Sequence, residues 1–198
     1  MPPGQLTERG RHTRDRVVDT AAALVFAHGA GVTSLDEVLE ATGTSKSQLY
    51  HYFEGKEGLL QAVIALQAAR LHDLHRRLLR DVHTLSDLRG WAAATVAEAE
   101  RHGLGGCPLG MLAVELAGVS AGYQRELERG FAGWQDLLAG AVARLQESDE
   151  ARADRTPAEL AAALLTALEG GLLLARTRRS ADCLRLALDM AIAHVAAR

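Results

Sequence analysis

Between Ala41 and Phe53 the chain carries Lys46, Gln48, His51, two tyrosines and four hydroxyl side chains, but no carboxylate. In a sequence whose 25 Asp and Glu outnumber its 22 Lys and Arg, such a gap is informative. Carboxylates are repelled by phosphate, and a surface that lies against a nucleic-acid backbone must do without them. Lys46 and Lys56 supply point charges for phosphate. Ser47, Tyr50 and the N–H groups of a helix start can donate to phosphate oxygens. The amide of Gln48 matches the paired donor and acceptor that adenine shows in the major groove. Arg9, Arg11, Arg14 and Arg16 form a basic segment that either touches the DNA backbone or minor groove, or is a solvated face. The net charge of -3 excludes a chain that coats nucleic acid with its whole surface, so any such contact is local.

These side chains need a rigid mount. Leu49, Tyr52 and Phe53 recur at i, i+3 and i+4, which predicts a helix over 46–52 with that face turned inward. Ser45 and Gln48 form a capping box at its start, so Gln48 has two readings, base reader or capping partner. A second short helix is expected over 35–41, opened by Ser34 and Glu37 in the same way, with Leu35, Val38 and Leu39 inward. Thr42-Gly43-Thr44 joins the two, a short glycine-containing turn that fits a helix-turn-helix. In that motif the second helix enters the major groove N-terminal end first. A helix over 13–27, with Val17, Ala21, Leu24 and Val25 on one stripe, packs behind the pair.

Ala, Leu, Arg and Glu dominate the rest, all helix formers, and no series of strands is legible. Helices are expected near 56–79, 86–101, from Pro108 onward, 122–146, 157–176 and 181–197, with a charged connector at 147–155. The fold class is all-α, about nine helices. It divides into an N-terminal three-helix helix-turn-helix domain, residues 1–58, and a C-terminal helical domain for ligand sensing and dimerisation, residues 59–198.

The segments 13–26, 33–38 and 43–60 together resemble the signature of the TetR family of bacterial regulators, in order and spacing. Ser45 to Leu60 is the most specific part. The turn at His28–Val32 is about one residue shorter than the family pattern, which leaves the start of the second helix open. The resemblance implies a transcriptional regulator, most often a repressor, that binds a palindromic operator in double-stranded DNA as a homodimer and releases it when a small molecule binds. By position it implies phosphate contacts from Lys46, Tyr50 and Lys56. Ser47, Gln48, His51 and Tyr52 fall where bases or nearby phosphates are touched. Ser34, Thr44 and Ser45 fall at helix starts that face phosphate. Two shorter segments, 106–110 and 169–176, are similar to the LmrA/YxaF-like branch of the family.

A helical sensing domain needs a cleft that mixes aromatic with a few polar groups. Trp91, Met111, Leu112, Phe131, Trp134 and Leu137 are the candidate lining, with core packing as the competing reading. Cys107 precedes Pro108 at a helix start. It either lines the cleft, acts as a redox sensor through a lowered pKa, or is a small capping residue. Ala161, Leu164, Leu165, Leu168, Gly171, Leu172, Leu184, Leu188 and Ile192 are the candidate dimer interface, two helices per subunit forming a four-helix bundle.

Other classes are disfavoured. No Ser/His/Asp arrangement, HExxH, P-loop or strand-mounted GxGxxG occurs, so neither an enzyme nor a cofactor is expected. An all-helical enzyme, or a DNA-binding dimer governed by a protein partner or by Cys107 oxidation, remain the rivals. His72 and His75 show no metal-ligand spacing and read as a solvated face. The first nine residues lack an apolar leader, and Glu169 interrupts the most apolar run, so a cytoplasmic protein without a membrane span is expected.

Overall fold

The structure is a computed structural model that describes residues 7–197. Residues 1–6, which belong to the stretch without an apolar leader, and residue 198 lie outside the described residues. Among the described residues there are nine helices: α1 (Glu8–His28), α2 (Leu35–Thr42), α3 (Lys46–Tyr52), α4 (Gly55–Leu79), α5 (Leu85–Arg101), α6 (Pro108–Leu116), α7 (Ala121–Glu147), α8 (Pro157–Arg178) and α9 (Asp182–Val195). The described residues form no strand; a single isolated bridge pairs Ala151 with Ala196. The all-α expectation holds, and α2 to α8 lie within about two residues of their expected limits.

The larger departure is α1, which begins at Glu8 rather than near Thr13. Thr7 caps it, its Oγ1 accepting from Gly10 N at 3.1 Å. The basic segment is therefore helical. Arg16 donates to the carbonyl of Thr42, and the Arg14 guanidinium lies 5.3 Å from the centre of the Phe53 ring. These two arginines fasten α1 to α2 and to the end of α3.

The chain clusters into two compact units. The first comprises Met1–Ala68 and Leu112–Gly130. Its core holds Val17, Val18, Ala21 and Val25 from α1, Val38 from α2, Leu49 from α3, and Leu59, Leu60, Val63 and Ile64 from α4, all buried. Capping boxes open both short helices. Ser34 pairs with Glu37, and Ser45 with Gln48. The left-handed Gly43, φ 61°, closes α2 and turns the chain into α3. Because Ser34 is the cap, α2 starts at Leu35 despite the short preceding turn.

The second unit comprises Ala69–Met111 and Phe131–Arg198. Trp91, Leu88, Trp134, Leu138 and Leu145 are fully buried in it, as are Leu160, Leu164, Leu168 and Leu184. α8 packs along α9, and α5 also meets α9. A β-carbon at position 171 would come within 2.9 Å of the Leu184 Cα, so Gly171 lets α8 approach the α9 backbone. α8 is long and apolar enough to cross a membrane by length and composition alone. Its Leu160, Ala161, Leu164, Leu165, Leu168, Gly171, Leu172 and Ala175 are buried, which is the pattern of a core helix.

That packing buries, within the single chain, the residues expected at the dimer interface. Ala161, Leu164, Leu165, Leu168, Leu172, Leu184, Leu188 and Ile192 are all less than 10% exposed in the single chain, and Gly171 is buried with them. They are spent on the subunit's own core. The large apolar side chains that α8 and α9 leave exposed are Leu173, Leu174, Leu186 and Met190.

Candidate nucleic-acid interface and sensing core

Leu49 is fully buried and Phe53 nearly so, which fixes the roll of α3. The opposite surface is open: Lys46, Ser47, Gln48, Tyr50 and His51 are exposed, and Tyr52 is half-buried. The Tyr52 ring stands edge-on to His51 and to Phe53, with centroids 5.2 and 6.3 Å away. Polar groups of α3 are thus held on a helix anchored by one apolar edge. The first turn contains no acid, so the partial positive charge of the helix start is not neutralised there.

Both readings of Gln48 are visible in one side chain. Its Oε1 accepts from the backbone N and the hydroxyl of Ser45 at 3.1 and 3.2 Å, while the residue stays exposed. Ser45 Oγ accepts in turn from Gln48 N at 3.2 Å. Without DNA the amide serves as a cap; base contact requires it to exchange that partner. Ser34 is exposed beside the start of α2, and Lys56 Nζ donates to the Gly31 carbonyl at 3.3 Å. Thr44 differs from the expectation of a phosphate contact. It is 6% exposed, and its buried Oγ1 has no hydrogen-bond partner, so the hydroxyl points inward.

One residue of this unit was illegible in the sequence. Glu115 Oε2 accepts from the backbone N–H of Ala30 at 2.6 Å and of Gly31 at 3.3 Å, across 85 positions of chain. The turn it holds contains Gly29 at φ 95°, a conformation that strains any other residue. A second tie runs from Ser120 Oγ, which donates to Glu57 Oε1 at 2.7 Å. Neither contact has a local motif; only the fold brings these residues together.

In the second unit, Trp91 Nε1 donates to His75 Nδ1 at 3.0 Å, and the His75 ring lies 4.7 Å from that of Trp134. Burial, with a smaller contribution from neighbouring His72, lowers the His75 pKa to about 4, so the ring is neutral and can accept. The expectation of a solvated face fails for His75, which is 2% exposed. The indole N–H of Trp91 needs an acceptor in the core, and His75 supplies it. Trp134 Nε1 is buried with no partner. Of the other candidate lining residues, Cys107 is buried in this unit, Met111, Phe131 and Leu137 are half-buried in it, and Leu112 is buried in the first unit. No metal-ligand cluster occurs among the described residues.

Cys107 is a capping residue. Its Sγ accepts from Gly110 N at 3.3 Å. Burial, and secondarily the adjacent Glu169, push its thiol well above the ordinary range, opposite to the lowering expected at a helix start. The Glu169 carboxyl is itself pushed up by burial, and its Oε1 has no partner. A β-carbon at position 110 would overlap Glu169 Oε2, and one at position 106 would come 3.3 Å from Arg176 Cδ. Segments 106–110 and 169–176, separate in sequence, thus form one packed motif.

Comparison with known proteins agrees with both halves of this geometry. Residues 17–63 match the model described as bacterial regulatory proteins, tetR family, and residues 84–190 match the transcriptional regulator LmrA/YxaF-like, C-terminal domain. An HTH-type transcriptional regulator in the lacX 3' region of Lactococcus lactis is 27% identical over 185 residues, 91% of either chain. Reduced NemR of E. coli superposes with a TM-score of 0.85 at 24% identity, over 94% of this chain and 98% of its own. The complex of SmeT with triclosan superposes at 0.75 and 22% identity, over 93% and 92%. Matched from the helix-turn-helix through α9, the chain belongs to the TetR family of transcriptional regulators, with an LmrA/YxaF-like C-terminal domain.

Proposed function

We propose that the protein is a ligand-responsive repressor that binds a palindromic operator as a homodimer and is released by a small hydrophobic or amphipathic effector. The observation that carries this reading is the exposed, carboxylate-free surface of α3. Residues 1–58 read DNA, with Lys46, Tyr50 and Lys56 on phosphates and Ser47, Gln48, His51 and Tyr52 at or near bases. Ser34 and Ser45 present helix starts to the backbone.

Two copies associate through the outward faces of α8 and α9, where Leu173, Leu186 and Met190 are more than 60% exposed. Thr166 and Gly170 lie on the exposed side of α8 as well and leave room for close approach. A two-fold axis then presents two α3 helices to successive major grooves, roughly 34–36 Å apart. Residues 59–198 sense the effector, with Trp91, Met111, Phe131, Trp134 and Leu137 the candidate contacts. A relative supports the idea of an effector: SmeT, a repressor of a multidrug efflux pump in Stenotrophomonas maltophilia, has been solved with triclosan. Effector binding repositions α4, the single helix that carries Lys56 at its start and His75 near its end. Moving the equilibrium from one percent to ninety-nine percent released requires about 5.5 kcal/mol of differential affinity. Control by Cys107 oxidation is disfavoured, because the thiol is buried and burial pushes its pKa up. The protein acts in the cytoplasm and no catalytic step is assigned to it.

The test is footprinting on the DNA just upstream of its own coding region, with sedimentation of the complex. A symmetric footprint with two chains per duplex is expected. A monomeric protein, or protection no stronger than on random competitor, contradicts the proposal.

A further inference from the structure

The second unit holds an open cleft of about 520 Å³, where the α5–α6 loop meets the C-terminal end of α8. Glu100, Gly103, Leu104, Gly105, Arg176 and Arg179 line it. Its charge is one-sided. Glu100, the only carboxylate in the lining, is paired with Arg185 of α9. Arg176 and Arg179 are exposed, and neither guanidinium makes a hydrogen bond or ion pair among the described residues. Two guanidinium groups therefore present unused donors whose planar geometry suits a carboxylate or a phosphate.

The backbone on both walls is strained. Leu104 at φ 55° and Arg179 at φ 52° are two of only three non-glycine residues in the left-handed region among the described residues. Such residues persist where the surroundings over-determine them, often at ligand clamps. Arg179 occupies the C-cap of α8, a place where glycine is usual. Gly106, at φ 87°, lets the Arg176 stem lie against the loop. The dipole of α8 favours cations near its last carbonyls. That preference explains Arg176 and Arg178 in the last turn, but not two strained residues facing one another across one cleft. The volume falls within the roughly 300–1,000 Å³ typical of small-molecule sites and is far more than a lone inorganic ion needs. Leu104 adds an apolar wall.

We infer that this cleft binds a small organic anion, a carboxylate or phosphate monoester with an apolar body, its oxygens on Arg176 and Arg179 and its body against Leu104. The inference goes beyond the regulator reading: the cleft shares no residue with the candidate effector contacts, and anion binding is independent of DNA.

The experiment is calorimetric titration of the full chain, without DNA, with sodium octanoate, octyl phosphate, inorganic phosphate and octanol. At least one of the two octyl anions is expected to saturate one site per chain, and which one binds tighter identifies the head group. Octanol should bind roughly tenfold more weakly or worse, the loss of a charge-assisted contact. Arg176→Gln with Arg179→Gln should weaken the octyl anion by a similar factor at unchanged melting temperature. If the double variant unfolds, Arg179→Gln alone, at an exposed helix end, should show the same direction of loss. The inference is overturned if neither octyl anion saturates, if octanol binds as tightly, or if the folded variants bind unchanged. Inorganic phosphate binding as tightly as octyl phosphate would overturn the apolar-body requirement. Operator affinity measured in the same samples separates the two claims. Duplex binding without anion binding sinks only this inference, and anion binding without duplex binding sinks only the regulator reading.

Discussion

The exposed surface of α3 and the aromatic core around His75 both use polar atoms, for opposite ends. On α3 the polar side chains from Lys46 to His51 are exposed and make no side-chain hydrogen bond beyond the cap at Ser45, which leaves them available to an external partner. Around His75 the polar atoms are buried, and Trp91 and His75 satisfy each other at 3.0 Å. Exposed polarity costs little and can be assigned to binding; buried polarity must be matched or it destabilises the fold. The same residue types therefore carry different meanings at the two sites, and substitutions should separate them.

The largest contrast is in stability. Trp134→Ala removes a ring that is 1% exposed and should cost about 3–5 kcal/mol in urea unfolding. Tyr50→Ala, at 52% exposure, should stay within about 0.5 kcal/mol. A large stability loss at Tyr50 would break the division. Acid comes next. Burial holds His75 near 4 against an ordinary 6.5, so the unfolded chain takes up this proton first as pH falls. The stability tied to neutral His75 is complete above about pH 6.5 and is lost as pH drops toward 4, on the order of 3 kcal/mol. Replacing His75 by Gln should flatten that part of the stability–pH curve, and an unchanged curve would show that another group causes it.

Smaller effects sharpen the picture. Gly110→Ala drives a methyl into Glu169 and should cost about 1–3 kcal/mol. Adding Glu169→Ala should return part of that loss, and strictly additive losses in the double-mutant cycle would mean the two do not touch. Glu115→Ala strips two backbone N–H groups of their acceptor and should cost about 1–2 kcal/mol, with faster amide exchange at Ala30 and Gly31. Smallest is Ser45→Ala, about 1 kcal/mol for a lost cap.

The contrast also explains what could be read from the sequence. The helix-turn-helix was legible because its signals are local: Ser34 with Glu37, Ser45 with Gln48, and Gly43 between them all act within four residues. The limits of α2 and α3 followed from the same caps, and α1 began earlier than expected because Thr7 caps it nearly three turns before its apolar stripe begins at Val17. Contacts that join distant segments had no such signature. Glu115 on the Ala30 and Gly31 amides, and Glu169 beside Cys107, depend on the packing of whole helices. His75 sits among His72, Arg76 and Arg77, which disguised a buried ring as part of a polar face. Periodicity found the apolar residues of α8 and α9 but not which neighbour they cover, because one stripe serves equally for a subunit core and a subunit interface.

The proposed function requires that α3 read duplex sequence through Gln48 while Lys46 only anchors it. Fluorescence anisotropy of operator and scrambled duplexes, across a range of salt, tests both at once. Gln48→Ala should lose affinity for the operator alone and narrow its advantage over scrambled DNA. Lys46→Ala should weaken both duplexes and flatten the salt slope by about one unit. Equal losses on both duplexes from Gln48→Ala, or an unchanged salt slope from Lys46→Ala, would contradict the account.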